Sequence, residues 1–495
     1  MIARMPVSRR KYGIIGGLGP LASADVFFKL AQATPASSDA DHADAIFEQY
    51  PFRCSSASSG SVSEPGLRSA PTTARKLYIF DMIRDFEKRG VTTIVLPCFL
   101  SHTFIDELND NTTLRIANIV EAVRSHVQSK HPTARRIGVL ASDYTREHRL
   151  FERYFAEPRF ELLHPRLHEG IDLVTEAVYG SDGIKRGNLR GRPVELLRRA
   201  CQHLAEQGAD VIVPGMTEIP LVGDAIAPHS VPLVDSNMAY AQYIVSGHFD
   251  SRSPVFKVGV VGGVGPAATV DFLDKIVRHT PASRDQDHIK LLVEHNPQIP
   301  DRTENLIGDG ADPTVSLYAT CKKLEDGGAD IIAIPCNTAH AFVDRIEPYL
   351  GVPIVNMLTV TVDYLREMFP SIRDIGVLAT SGTIASGVYK AALEARGLRQ
   401  VAPPPALQAR VMEAIYGETG VKAGLTSGPC QDDLRAAIEG LLDEGIEVII
   451  LGCTELPLLV PSGTFVGSNG QRAQLVDPTE VLARRCIAYA GRGAD

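Results

Sequence analysis

The sequence predicts an α/β protein made of two tandem domains, residues 11–248 and 255–490, each of two α/β subdomains with parallel sheets and a cleft between them. Three observations predict it: the chain repeats itself at a nearly fixed offset, its short apolar runs alternate with helical patterns, and those runs are β-branched, as strands buried on both faces are.

The repeat is explicit in matched words. Gly13-Ile14-Ile15-Gly16-Gly17-Leu18-Gly19-Pro20 lies 246 positions before Gly259-Val260-Val261-Gly262-Gly263-Val264-Gly265-Pro266. The same offset joins Thr34-Pro35-Ala36-Ser37 to Thr280-Pro281-Ala282-Ser283, and Asp41-His42 to Asp287-His288. About eight extra residues in the first copy then align Leu96-Pro97-Cys98 with Ile334-Pro335-Cys336, and His102 with His340. Tyr179-Gly180, Lys185 and Met216-Thr217-Glu218 pair with Tyr416-Gly417, Lys422 and Cys453-Thr454-Glu455. The copies join near residues 247–254.

In the second copy, Lys257 to Gly262 reads as a strand and Ala267 to Arg278 as a helix, followed by a strand from Ile289 to His295. Pro313 to Asp326 has helical spacing, Ile331 to Pro335 is a strand, and Thr338 to Tyr349 is expected to be one helix. Such alternation implies parallel pairing with right-handed crossovers. A second sheet is expected to start at Ile372 to Ala379 and to end at the strand bearing Cys453.

Composition narrows the function. A hydrophobic content of 44% with 22% charged residues describes a globular chain rather than a disordered one, and 495 residues exceed one ordinary core. The formal charge of -9 leaves no basic footprint for nucleic acid. The basic start, Met1 to Arg10, has no apolar core behind it, and no apolar run of about 18 residues could span a bilayer. Eight scattered cysteines without CxxC or metal-like spacing fit reduced thiols and no metal, so a cytoplasmic protein is expected.

Two of those cysteines stand where chemistry is expected. Cys336 and Cys453 each follow a short apolar strand, and in an open parallel sheet ligands sit at the carboxyl ends of the strands. A thiolate is a usable base and a thiol a usable acid, so one of each on opposite faces of a carbon acid inverts that carbon without a cofactor. Singly, each cysteine reads as a small buried hydrophobe, and the matched contexts favour chemistry.

Residues Val258 to about Ala490 resemble the aspartate/glutamate racemases, in the aspartate racemase branch. The matching words are Gly259 to Pro266, Asn296-Pro297-Gln298-Ile299-Pro300-Asp301-Arg302-Thr303, Pro335-Cys336-Asn337-Thr338-Ala339-His340, Gly376-Val377-Leu378-Ala379-Thr380 and Gly452-Cys453-Thr454-Glu455-Leu456-Pro457. The resemblance implies a pyridoxal phosphate-independent racemase, with Cys336 and Cys453 exchanging base and acid roles across an interdomain cleft. It also implies that Asn337, Thr338 and Thr454 hold the substrate's α-carboxylate or amino group, while Arg302 and Lys422 take a distal carboxylate of aspartate or glutamate. Alternatively Asn337 and Thr338 cap a helix, and the two cations are solvated surface charges. His340 is a candidate modulator of the thiol or a packing residue, and Glu455 a structural one. The glycine-rich turn is not GxGxxG, and it reads as a tight turn lining the cleft. Other readings are a cysteine-dependent isomerase or decarboxylase of another small acid, maleate isomerase-like, or a ligand-binding regulatory protein without turnover.

The first copy departs from the pattern. It retains Cys98, His102, Lys185 and Thr217, a candidate vestigial site, but Phe99 and Leu100 replace Asn337 and Thr338, and Met216 replaces Cys453. The arginine word becomes Tyr50-Pro51-Phe52-Arg53-Cys54-Ser55-Ser56-Ala57, so its arginine is lost or displaced. Two-base racemisation there lacks a second base. A structural copy standing in for a partner subunit, giving an intramolecular pseudodimer open to further oligomerisation, is expected ahead of a one-cysteine reaction or a regulatory ligand pocket.

Overall fold

A computed structural model describes residues 10–53, 70–247 and 255–491, and in it the chain divides into two compact units, Met1–Pro254 and Val255–Asp495. Most of the basic start (residues 1–9), most of the join between the copies, and Cys54 to Ala57 of the altered arginine word lie outside the described residues.

In the N-terminal unit, strands β1 (Lys11–Ile15), β2 (Asp44–Glu48), β3 (Thr93–Val95) and β4 (Arg115–Ala117) form a parallel sheet in the order β2-β1-β3-β4. A second parallel sheet orders β5 (Arg136–Leu140), β6 (Glu161–Leu163) and β7 (Val211–Pro214) as β6-β5-β7.

The C-terminal unit repeats the plan. Strands β8 (Lys257–Gly262), β9 (Lys290–His295), β10 (Ile331–Ala333) and β11 (Ile354–Val355) pair in parallel as β11-β10-β8-β9. The second sheet contains β12 (Asp374–Leu378), β13 (Arg399–Val401), β14 (Val448–Leu451), β15 (Gly463–Val466) and β16 (Arg472–Val476), in the order β13-β12-β14-β16-β15. The middle strand β14, Val-Ile-Ile-Leu, is buried throughout, which is why it reads as a continuous apolar run with no alternation.

The structure departs from the sequence expectation at two places. The second sheet does not end at the strand bearing Cys453: β16 pairs in parallel beyond β14, and β15 closes the edge antiparallel to β16 through a short hairpin. That hairpin carries Gly463 and Gly470 at positive φ and faces solvent along β15, so no long apolar run marks it.

Nor is Thr338–Tyr349 one α-helix. It is a 3-10 turn (Thr338–Phe342), one α turn (Val343–Ile346) and a second 3-10 turn (Glu347–Tyr349). The His340 ring Nδ1 lies 2.9 Å from the Cys336 carbonyl, the acceptor that an α-helix would give to the His340 backbone N–H. That N–H donates to the Asn337 carbonyl instead, tightening the turn. At the far end Pro348 has no N–H to continue a helix.

Among the described residues no helix is long and apolar enough to cross a membrane.

Candidate active site

Cys336 and Cys453 lie just past the carboxyl ends of β10 and β14, one from each sheet of the C-terminal unit. Both line one narrow cleft, and both are only 6% exposed. Arg302, Asn337, Thr338, Lys422, Thr454 and Glu455, also singled out in this copy, line the same cleft, and His340 does not.

Around Cys453 the polar groups form a closed chain. The Cys453 Sγ donates to Glu455 Oε2 at 3.1 Å, and the Thr454 hydroxyl donates to the same oxygen at 3.3 Å. Lys422 Nζ bonds Glu455 Oε1 at 2.8 Å. Glu455 therefore bonds three side chains, where a structural residue would have bonded backbone amides. Burial lifts the Glu455 carboxyl, but Lys422 and its other donors outweigh it and the net shift is downward. Cys453 is pushed well above the ordinary thiol range, first by burial and then by the Glu455 carboxylate, with Lys422 opposing. Cys453 is a thiol here, hydrogen-bonded to an anion. Burial lowers the Lys422 ammonium and the Glu455 charge more than restores it, so Lys422 stays charged and paired.

Around Cys336 the charge has the opposite sign. Arg302 opens the helix Arg302–Ile307, is 8% exposed, and has Nη1 on the carbonyls of Ile299 and Pro300, at 3.3 and 3.1 Å. Its Nε has no hydrogen-bond partner among the described residues. Burial depresses its guanidinium, yet the Cys336 sulfur and Asp301 raise it further, giving a net upward shift. Arg302 is thus a buried cation beside Cys336, and Glu455 a buried anion beside Cys453.

Asn337 does not cap the turn that follows it, since no backbone N–H bonds its side chain there. Its Oδ1 accepts from the Tyr389 hydroxyl at 2.5 Å, and its Nδ2 is buried with no partner among the described residues. Burying such a donor costs free energy unless something in the cleft accepts from it. The Thr338 hydroxyl joins a pool of four: it lies 2.7 Å from Thr383 and 3.3 Å from Thr380, and Thr303 donates to Thr380 at 3.0 Å. Thr303, Thr380, Tyr416 and Val264 also line the cleft; none was singled out from sequence. Three of these fall inside or beside words already quoted, Thr303 and Thr380 closing theirs and Val264 in the glycine-rich turn. Tyr416 was noticed only as a repeat partner of Tyr179.

His340 reaches no thiol. Its Nε2 accepts from the Met357 backbone N–H at 3.0 Å while Nδ1 holds the Cys336 carbonyl, which fixes the neutral tautomer, and burial pushes its pKa down to about 4. It staples the cysteine-bearing turn to the next helix. The glycine-rich turn behaves as read: Val264 faces the cleft, and a Cβ on Gly265 would stand 2.7 Å from Glu455 Oε1.

The N-terminal unit has a corresponding narrow cleft, lined by Cys98, Lys185 and Thr217 together with Phe99, Leu100, Met216 and Arg75. His102 does not line it. Its Nδ1 holds the Cys98 carbonyl at 2.9 Å and its Nε2 accepts from the Ile119 N–H at 3.1 Å, repeating the staple. Arg75 went unnoticed because it comes from the helix Ala70–Lys88, away from the word that carries Arg302 in the other copy. Among the described residues no group of three or more His, Cys, Asp or Glu could hold a metal ion.

The sequence profile of the Asp/Glu/Hydantoin racemases matches residues 15–244 and again 261–486. A broad specificity amino-acid racemase, RacX, from Bacillus subtilis (strain 168) is 31% identical over 144 residues, 28% of this chain and 61% of that protein. A glutamate racemase from Synechococcus sp. (strain CC9605) is 30% identical over 170 residues, 33% of this chain and 58% of that protein. The chain thus spans about three fifths of these curated relatives' length. Among solved structures, the Picrophilus torridus aspartate racemase is 28% identical and covers 48% of this chain and 96% of its own, with a TM-score of 0.42.

Proposed function

The chain belongs to the Asp/Glu/Hydantoin racemase family, and from that premise we propose that its C-terminal unit racemises an acidic amino acid, aspartate or glutamate, by two-thiol proton transfer. The observation that carries this reading is that Cys336 and Cys453 line one cleft, with a cation beside the first and an anion beside the second. In this reading Cys336, beside the Arg302 cation, starts as the base, and Cys453, held by Glu455, starts as the acid. The Cys336 thiolate takes the Cα proton and the Cys453 thiol delivers one to the opposite face, leaving the two protonation states exchanged. For the other enantiomer the transfers run in reverse. No step requires pyridoxal phosphate.

The substrate's α-carboxylate fits the unpartnered Asn337 Nδ2 and the Thr338 hydroxyl, joined by the Thr454 hydroxyl once it turns from Glu455, and these donors strengthen as charge develops on the carbanion. Arg302 is the better distal-carboxylate ligand, because its Nε is free while Lys422 is held by Glu455. Lys422 acts in this reading through Glu455, keeping that carboxylate ionised.

The test is incubation of each enantiomer of aspartate and glutamate in heavy water, following optical rotation and Cα deuterium. Both signals are expected with at least one substrate, and Cys336→Ala and Cys453→Ala should each abolish racemisation. A single-cysteine variant that still inverts the substrate sinks the two-thiol mechanism.

A further inference from the structure

We propose that the N-terminal cleft is a binding site for a small monocarboxylate with an apolar substituent, held through Arg75. A narrow cleft persists there, walled by Arg75, Cys98, Leu100, Met216 and Thr217, so the losses of Asn337 and Thr338 counterparts have not erased it. Its polar groups divide into those already satisfied and those left over. Lys185 bonds Glu218 Oε1 at 2.9 Å and the Leu18 carbonyl at 3.0 Å, so that pair adds no net charge. Thr217 bonds the Pro97 carbonyl at 3.3 Å, and Ser142 and Thr145 bond each other at 3.2 Å.

Arg75 is what remains. Its Nη1 lies 3.9 Å from the Cys98 sulfur, its Nε is buried without a hydrogen-bond partner among the described residues, and its guanidinium stands 5.1 Å from the Phe52 ring centroid. No carboxylate among the described residues pairs with it. A partly buried guanidinium fork with an open N–H, next to a cavity, matches the planar geometry of one carboxylate.

The other wall selects against a polar amino acid. Phe99, Leu100 and Met216 are 2%, 5% and 6% exposed and line the cleft where the other copy has Asn337, Thr338 and Cys453. An amino dicarboxylate would leave its ammonium or second carboxylate against these side chains with no partner, and a buried unpaired charge is strongly disfavoured. An aliphatic or aromatic substituent fits there instead.

The test uses the full-length chain carrying Arg302→Gln, so that the C-terminal guanidinium does not compete, and reads binding rather than turnover. The probes are isocaproate, its neutral amide, and succinate, followed by titration calorimetry and by peptide-mapped alkylation of Cys98. Isocaproate should bind and slow Cys98 alkylation, and the amide and succinate should each bind at least about tenfold more weakly. Arg75→Gln should weaken isocaproate about tenfold or more, Arg75→Lys should recover part of the loss if the first variant folds poorly, and Leu100→Thr should narrow the preference over succinate. Absence of heat and protection with isocaproate, equal binding of the amide, or binding indifferent to Arg75 would each overturn the proposal. Failure of racemisation leaves this result untouched, because the readout involves no reaction.

Discussion

Glu455 accepts bonds from Cys453, Thr454 and Lys422 with one carboxylate, and its charge is a main reason the Cys453 proton is hard to remove. Replacing it by glutamine removes an anion that raises the thiol and leaves Lys422 unpaired, and a free cation stabilises a thiolate. Both effects act downward, so the alkaline limb of the pH dependence of kcat/KM should move to lower pH in Glu455→Gln; a limb that stays put or moves up would separate Glu455 from the acid role. The family resemblance placed Cys336, Cys453, Asn337, Thr338, Thr454, Arg302 and Lys422 at one cleft, and all but Lys422 sit in a recognisable word. It did not reveal that Lys422 is held by Glu455, because a salt bridge across 33 positions leaves no periodic trace.

The elements were legible to the extent that burial leaves a pattern. Parallel strands such as β8 and β14 are apolar end to end and were readable, whereas the hairpin β15–β16 has one exposed edge and was not. The turn after Cys336 was read as a helix because residue spacing cannot show a histidine ring taking the acceptor of its own backbone N–H. That staple has a pH signature. His340 and His102 are held neutral, each with its pKa pushed by burial to about 4, so the folded protein resists a proton that the unfolded chain accepts near pH 6.5. Stability is therefore full above about pH 6.5 and is lost as pH falls from there toward about 4, at about 2 kcal/mol per histidine by pH 5. Urea denaturation across this range checks it. His340→Gln, which keeps a donor and an acceptor but takes up no proton, should flatten the slope for the C-terminal unit, and an unchanged slope would remove His340 from the account.

At the scale of the whole chain, the repeat was the clearest signal, because fixed offsets survive even where side chains diverge, as between Met216 and Cys453. What the repeat could not carry was Arg75, which brings a guanidinium to the N-terminal cleft from a different segment than Arg302. The two clefts have thus parted in chemistry while keeping their frame. Cys98→Ala should accordingly leave most racemisation intact; its full loss would move the reaction to the N-terminal unit.

Within the C-terminal unit the two lobes are tied directly across the cleft. Thr303 bonds Thr380, Thr338 bonds Thr383, Tyr389 bonds Asn337, and the Tyr416 hydroxyl bonds Asp301 at 3.1 Å. Parting the lobes breaks all four of these clasps at once. In the proposed racemisation, an exchange of guests that needs such parting sets the tempo, and thickening the solvent should then slow a fast turnover where a sluggish proton transfer would take no notice.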